Sequence, residues 1–323
     1  MTGADARLET VAIETASAGE QAEVLALEAA ATAYDGVGPL DDQVRLEIAF
    51  GAAPEARHLI GRIIGSPGVV GYAHLTHDGE GDASAHLVVD PSQRRLGFGG
   101  ALLDGLLRLT AEGAPSSRQP PALRVWAHGD TAGAQALAAS RGFRRVRELW
   151  QMRRPLSLPL PAASYPPDVT VRTFEPGRDD EGWVALNAAA FAGHPEQGRL
   201  TLSDLRQRMA QPWFDPDGLF LAERDGTLLG SHWTKVHGVD ESGGDESGGD
   251  APIGEVYAVG VHPQAQGLGL GKALTLTGLH HLRDRGLHAV MLYVDGDNAA
   301  AVALYRRLGF ETTAVDAMYA APG

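Results

Sequence analysis

"VHPQAQGLGLGKAL" at residues 261–274 repeats a pattern that the chain already contains as "VDPSQRRLGFGGAL" at residues 89–102. In both copies an apolar run ends at a proline, a glycine-rich turn follows, and an apolar helical pattern begins. The two prolines, Pro91 and Pro263, are 172 residues apart (263 − 91), slightly more than half of the 323-residue chain. A repeat at this spacing predicts two similar domains.

The composition narrows the possible classes of function. A formal net charge of −14 argues against nucleic acid or an anionic membrane as the main partner, because each would require a basic face. The lack of cysteine excludes a disulfide framework and a thiolate nucleophile, and the histidines show no metal-ligand spacing. No signal-peptide pattern is present, and no apolar run approaches the roughly 18 residues of a membrane helix. We therefore expect a soluble, cytoplasmic, monomeric protein that acts on a small molecule without a metal.

Hydrophobic periodicity predicts a similar order of elements in the two halves. For the first half it predicts a helix at 19–34, strands at 57–64, 68–77 and 84–90, a helix at 98–112, a strand at 122–128, a helix at 132–140 and a strand at 143–152. For the second half it predicts a strand at 169–174, helices at 179–191 and 202–210, strands at 218–224, 228–237 and 254–262, a helix that ends near 284, a strand at 288–295, a helix at 298–308 and a strand at 316–320. This order predicts a mixed α/β fold with α+β character.

Two segments interrupt the order of elements. Residues 153–168 are rich in proline, which continues neither a helix nor a central strand, so we interpret this region as the connection between domains. Residues 240–250 form a tandem acidic Gly/Ser repeat without an apolar residue, which predicts a disordered surface loop. The predicted domains are an N-terminal domain at 1–155 and a C-terminal domain at 169–323, joined by a linker at 156–168.

The glycine turns are candidate anion sites. A strand followed by glycines and then a helix directs several backbone N–H groups and a helix N-terminus at one point, which suits a pyrophosphate. For a single copy, a tight turn without a ligand is an equally good interpretation. Gln266 and Ala273 break the pattern of a Walker A loop, and Lys272 and Leu274 break that of a dinucleotide-binding G-x-G-x-x-G.

The pattern that fits is the acyl-CoA turn of the GCN5-related N-acetyltransferases, Gln/Arg-x-x-Gly-x-Gly/Ala. Residues 94–99 and 266–271 both resemble it, and "NAAAVALYRRLGF" at 298–310 resembles the end of that family's sequences. The resemblance implies two tandem domains of this fold, each a mostly antiparallel sheet that splays at the acyl-CoA site and is flanked by helices. It also implies acetyl-CoA as the acetyl donor. The implied acyl-CoA contacts are Leu87, Val88, Val89, Arg95, Leu96, Gly97, Phe98, Gly99 and Gly100 in the first half, and Val259, Gly260, Val261, Gln266, Gly267, Leu268, Gly269, Leu270, Gly271, Lys272, Asn298, Ala299, Ala300, Ala301, Val302 and Ala303 in the second.

Four further segments extend the resemblance to the mycothiol synthase family over nearly the whole chain. They are "FAGHPEQG" (191–198), "WFDPDGL" (213–219), "HWTKVH" (232–237) and "GEVY" (254–257), whereas residues 240–250 depart most from the family's pattern. That family transfers acetyl from acetyl-CoA to the cysteinyl amine of desacetylmycothiol, a cysteinyl-glucosaminyl-inositol. Polar side chains suit such a hydroxyl-rich ligand. The substrate contacts that the resemblance implies are Asp42, Glu196, Lys235, Glu255 and Tyr293.

The chemistry requires a base and an acid. Aminolysis of a thioester needs a base for the substrate ammonium and an acid near the departing thiolate. Glu255 is the predicted base, because it lies on the strand that leads into the second turn and a carboxylate is ionised at neutral pH. Tyr305 is the predicted acid, because it precedes Leu-Gly-Phe at the family's spacing and a phenol keeps its proton at neutral pH. Alignment of the halves places Ala83 and Ala138 in these two positions, so we expect chemistry in the second half alone.

Two other functions fit the same residues. One is an N-acetyltransferase of the same fold that acts on a peptide N-terminus or an antibiotic amine through the same pair of residues. The other is a non-enzymatic acyl-CoA sensor, which would bind CoA without turnover. The amine that is consumed, or the lack of any turnover, distinguishes them.

Overall fold

The computed structural model describes residues 8–13, 16–50, 56–77, 83–112, 122–193, 197–238 and 252–322. The described chain divides into two compact units, Met1–Leu149 with Val315–Gly323, and Trp150–Ala314. The segment that was predicted as an acidic loop, 240–250, lies outside the described residues. Within the described ranges, none of the helices combines the length and hydrophobicity needed to cross a membrane.

The first unit contains most of the N-terminal half and the end of the chain. Its elements are β1 (Leu8–Ile13), α1 (Ala18–Asp35), α2 (Asp42–Phe50), β2 (Arg57–Ile63), β3 (Val69–His77), β4 (Ala83–Val89), α3 (Phe98–Glu112), β5 (Leu123–Ala127), α4 (Ala132–Ser140), the start of β6 (Arg144–Pro155) and the end of β12 (Glu311–Ala320). Strands β1 to β4 pair as antiparallel neighbours. Strand β5 pairs in parallel with β4 and antiparallel with β12.

The second unit repeats this plan. Its further elements are β7 (Thr170–Thr173), α5 (Asp180–Ala190), α6 (Leu202–Met209), β8 (Leu219–Arg224), β9 (Thr227–His237), β10 (Ile253–Val261), α7 (Leu270–Asp284), β11 (Ala289–Asp295) and α8 (Ala299–Arg307). Its strand order is β6-β11-β10-β9-β8-β7, with antiparallel pairs from β7 to β10 and a parallel pair between β10 and β11. Each unit is thus a mostly antiparallel sheet with one parallel pair and flanking helices, which confirms the predicted fold class.

The helix after each glycine turn is held by an apolar face. In the first unit, Leu102 and Leu106 of α3 are four residues apart, so they lie on one side of the helix and pack in the core that contains Leu75 and Leu123. Each fully buried leucine contributes about 1.5–3 kcal/mol to stability. Helix α7 is held in the same way, through the core that its leucines share with β10 and β11. The burial of these helices fixes the position of the turns that precede them.

Periodicity did not predict two of the elements, β1 and α2. Helix α2 has only nine residues, and its N-terminus is capped by Asp41, whose Oδ1 accepts a hydrogen bond from Val44 N at 2.8 Å. Helices this short depend on packing for their stability, and Val44 and Ile48 are buried in a core with residues of α1. Strand β6 extends to Pro155 and β12 begins at Glu311, so both are longer than predicted.

Candidate active site

The second glycine turn has the open geometry that an anion requires. Gly267 and Gly269 have φ values of 83° and 79°, in the left-handed region that favours glycine. A Cβ atom at either position would meet nothing within 4 Å, so the space in front of the turn is open. Helix α7 begins directly afterwards at Leu270, and the first N–H groups of a helix have no partner within it. The turn, which carries the predicted contacts from Gln266 to Lys272, therefore fits a pyrophosphate.

Strands β10 and β11 separate close to this turn. They pair in parallel at three positions of β10, from Gly254 to Val256. Beyond a bulge near Tyr257, β10 continues to pair with β9 up to its end. In the described residues, the ladder to β11 therefore stops before the predicted contacts at 259–261. The backbone edge left there fits an extended, amide-containing arm such as pantetheine, which can bond to it as a strand would.

Glu255 lies at the point where the two strands part. It is 6% exposed, and its Oε2 accepts a hydrogen bond from His237 Nε2 at 2.6 Å. Lys235 is its register partner on β9 and is also 6% exposed. Because side chains alternate along a strand, Lys235 and His237 share the sheet face of Glu255. The side chains of Glu255, Lys235 and His237 therefore lie on one face of the sheet at the predicted site of chemistry.

Aromatic rings surround Lys235. Its Nζ lies 4.7 Å from the centroid of the Trp213 ring and 5.5 Å from that of the Tyr257 ring. The Tyr257 hydroxyl in turn accepts a hydrogen bond from Arg208 Nε at 3.0 Å. Ring faces attract a cation, and more strongly where water is excluded. The cluster therefore holds the ammonium of Lys235 in place over the rings of Trp213 and Tyr257.

Tyr305 lies on α8, the helix after the splayed strands. Asn298 caps this helix, since its Oδ1 accepts a hydrogen bond from Ala301 N at 3.1 Å, and the other predicted contacts from Ala299 to Ala303 form its first turns. The Tyr305 ring is half-buried and packs edge-on against Phe310, with 5.7 Å between centroids. Burial raises the pKa of Tyr305 to about 12. The hydroxyl is thus a phenol, able to donate a proton, throughout the neutral range.

The first unit has a turn of similar shape. Gly97 has a φ of 88°, and Arg95, which aligns with Gly267 at the offset of 172 residues (267 − 95), is also left-handed with a φ of 65°. Strands β4 and β5 pair in parallel only from Ala83 to Ala85, so they separate as β10 and β11 do. A cavity of about 520 Å³ opens between them, and the predicted contacts that line it are Leu87, Val88, Val89, Arg95, Gly97, Gly99 and Gly100.

The alignment of the two halves is visible in the helix caps. Thr131 caps α4 through a hydrogen bond from Ala134 N to its Oγ1 at 3.2 Å, as Asn298 caps α8. The offset of 172 residues aligns Glu255 with Ala83, but β4 lacks the bulge of β10, so the strand pairing places Ser84 in the position of Glu255. Ala138, which aligns with Tyr305, is buried. The first unit therefore has the cleft of an acyl-CoA site but a serine and an alanine in the two positions of proposed proton transfer.

The remaining predicted substrate residues are distributed over both units. Asp42 begins α2 in the first unit and lies 3.6 Å from Arg45 Nη1. Tyr293 is on β11 in the second unit, and its hydroxyl accepts a hydrogen bond from Gln151 Nε2 at 3.0 Å. Glu196 lies outside the described residues.

His237 was not identified from the sequence, although its position two residues after Lys235 on a predicted strand placed both on one face.

Comparison with known proteins gives the same family. The acetyltransferase (GNAT) family matches residues 185–310. The mycothiol acetyltransferase of Thermomonospora curvata is 56% identical, over 93% of each chain, and that of Thermobispora bispora is 52% identical, over 93% of this chain and 96% of the other. A solved tandem GNAT protein from the clavulanic acid biosynthesis pathway superposes with a TM-score of 0.68 at 21% identity, over 98% of this chain and all of the other, and so shares the fold. With a splayed strand pair beside each glycine turn and this level of identity over nearly its full length, the chain belongs to the mycothiol acetyltransferase family of tandem GNAT proteins.

Proposed function

We propose that this protein transfers the acetyl group of acetyl-CoA to the cysteinyl amine of desacetylmycothiol, which gives mycothiol and free CoA. The observation that carries the proposal is the buried carboxylate of Glu255 at the point where β10 and β11 part. A thioester held along the edge of β10 would present its carbonyl carbon beside that carboxylate. The choice of amine rests on the relatives, which are named mycothiol acetyltransferases.

The reaction assigns a role to each end of the cleft. The turn at 266–272 would hold the pyrophosphate, and the edge at 259–261 would bond the pantetheine arm. Glu255 is the proposed base, which promotes loss of a proton from the substrate ammonium so that the nitrogen lone pair attacks the thioester carbon. As the C–S bond breaks, Tyr305 would give its proton to the thiolate.

Recognition of the acceptor is proposed for the polar residues around this point. Lys235, held over Trp213 and Tyr257, offers a fixed donor to a hydroxyl or carbonyl oxygen of the substrate. Tyr293, whose hydroxyl accepts a hydrogen bond from Gln151, is 40% exposed on β11 and is proposed as a further contact. We also propose Asp42 and Glu196 as contacts to the sugar or inositol hydroxyls, on the basis of the family resemblance alone. Hydroxyl groups that lose their water on binding need such partners.

The test is turnover with a defined amine. Purified protein is incubated with acetyl-CoA and desacetylmycothiol, with a tripeptide amine and an aminoglycoside as alternative acceptors. Free CoA is separated by liquid chromatography and measured by its adenine absorbance, because the cysteinyl thiol of the acceptor would react with a thiol reagent, and the products are identified by mass spectrometry. We expect mycothiol and one equivalent of CoA with the first amine only. CoA release at the background rate with desacetylmycothiol, but rapid with another acceptor, would contradict the proposal, and tight CoA binding without any turnover would indicate a sensor.

A further inference from the structure

His237 is the described side chain that hydrogen-bonds to Glu255. It lies on β9 opposite Ile253, two residues from Lys235, which is opposite Glu255. The His237 ring therefore reaches the carboxylate diagonally across the β9–β10 pair, and the Nε2–Oε2 distance is 2.6 Å. This is the short distance of a charge-assisted hydrogen bond.

The two partners differ in their access to water. The Glu255 side chain is 7% exposed, whereas that of His237 is 32% exposed. An ionised carboxylate can only accept hydrogen bonds, so His237 Nε2 carries the hydrogen in this pair. The other ring nitrogen, Nδ1, then has its lone pair available, and no described residue donates a hydrogen bond to it. The basic nitrogen of the pair thus belongs to its more exposed member.

We propose that His237 and Glu255 act together as the general base and that Nδ1 of His237 takes the proton; this inference rests on the proposed function. The N–H bond of the substrate ammonium breaks as the Nδ1–H bond forms, and Glu255 stabilises the resulting imidazolium. The amine lone pair forms the C–N bond, the C–S bond breaks, and the thiolate receives a proton from Tyr305. The second proton of the amine then restores Tyr305. Water removes the proton from Nδ1, so each turnover releases one proton to solvent.

A buried carboxylate beside an imidazole suits a mechanism in which the carboxylate orients the ring and the imidazole takes the proton. The carboxylate fixes the ring orientation and the tautomer, because its charge holds the hydrogen on Nε2. The half-exposed ring can lose a proton to solvent without any movement of the sheet. A carboxylate acting alone would have to release its proton from a position that is almost fully covered.

The first test separates a proton acceptor from a hydrogen-bond donor. In His237→Gln the side-chain amide can still donate to Glu255, but no basic nitrogen remains. We expect kcat to fall about 10²–10⁴-fold, as for removal of a general base, while the equilibrium affinity for acetyl-CoA is unchanged. Glu255→Gln should also be slow, and the double variant should be no slower than the slower single variant, because the two residues act as one unit. His288→Gln, on an exposed loop of the same unit, is the matched control and should keep the wild-type rate.

The second test is chemical rescue. His237→Ala leaves space for a free imidazole, which should raise kcat in proportion to its concentration, whereas Glu255→Gln and wild type should not respond. A His237→Gln enzyme with wild-type kcat, or a slow His237→Ala enzyme that imidazole does not accelerate, would show that Glu255 works without His237 as acceptor. These assays use whichever amine wild type acetylates. Inactivity of wild type toward desacetylmycothiol would therefore refute the proposed substrate and leave the test of the pair intact.

Discussion

At the scale of single residues, burial decides which protonation state is present. Among the described residues no charged group shifts the pKa of Tyr305, and burial alone raises it to about 12. Burial disfavours the phenolate, so the phenol persists to a higher pH than that of an ordinary tyrosine, which ionises near pH 10. The donor form is therefore populated over the whole neutral and mildly alkaline range. An acid that remains protonated in this way is available in every turnover.

This property makes Tyr305→Phe informative. The variant should lower kcat by about 10²-fold or more at neutral pH, because the thiolate must leave without a proton donor, while the dissociation constant of acetyl-CoA stays the same. The wild-type rate should show no loss from tyrosine ionisation up to about pH 10. Steady-state kinetics across pH and equilibrium binding measure both effects. Tyr165→Phe, which removes a hydroxyl bonded to Thr277 Oγ1 at 2.6 Å, is the control. A Tyr305→Phe enzyme with normal kcat would remove this residue from the mechanism.

At the scale of elements, the two strand–turn–helix segments can be compared directly. Each has a left-handed glycine just before its helix, Gly97 and Gly269, and in each the space in front of that glycine is open. The segments differ two positions earlier, where Arg95 stands in the place of Gly267. They also differ in the strand, since the bulge near Tyr257 in β10 has no equivalent in the regular pairing of β4 with β3. The second unit alone combines this bulge with a carboxylate at the splay.

The matched substitutions Gly97→Leu and Gly269→Leu test which turn serves the reaction. Both place a side chain at a positive φ, at a cost of about 1–2 kcal/mol, and both fill open space in front of a turn. Gly269→Leu should abolish turnover by blocking the pyrophosphate, whereas Gly97→Leu should keep most of it. Initial rates with acetyl-CoA measure the difference, and circular dichroism controls for folding. Equal losses in two folded variants would mean that the first turn is also required for catalysis.

At the scale of the whole molecule, the chain contains two clefts and one set of proposed catalytic residues. The cavity of the first unit is lined by Arg94, Arg95 and Arg141, of which Arg141 is paired with Asp104. Arg94 is held by Asp35 through two hydrogen bonds of 2.7 Å. A preformed cleft with a helix N-terminus and basic residues suits a phosphate-bearing ligand, with or without chemistry.

We therefore expect two CoA molecules per chain. Isothermal titration calorimetry with CoA should give a stoichiometry of two for wild type and of one for either leucine variant. The Gly97→Leu protein should be the active one of the pair. A wild-type stoichiometry of one would show that the first glycine turn is a structural feature without a ligand. That outcome would favour the alternative interpretation, in which a glycine-rich segment of this kind is a tight turn without a ligand.

Much of the fold and part of the site could be predicted from sequence, because local patterns encode them. Periodicity predicted the order of strands and helices around both turns, and glycine at positions that need a left-handed backbone marked the turns themselves. Motifs led to Glu255 and Tyr305 as proposed catalytic residues, and alignment to Ala138 opposite Tyr305, but the alignment missed the bulge in β10 and so gave Ala83 in place of Ser84. Helix α2 was not predicted from periodicity, and in the structure its stability depends on the packing of Val44 and Ile48 against α1.

The sequence by itself determined the duplication, the two turns, the family and the absence of a carboxylate and a phenol in the corresponding positions of the first half, since each is a property of residue identity and spacing. Only the tertiary structure decided that the end of β12 pairs with β5 in the first unit, and that His237 meets Glu255. Both depend on strand partners and register, which are set by contacts between distant segments. A strand's own sequence shows which residues share a face, but not which residue of another strand will lie beside them.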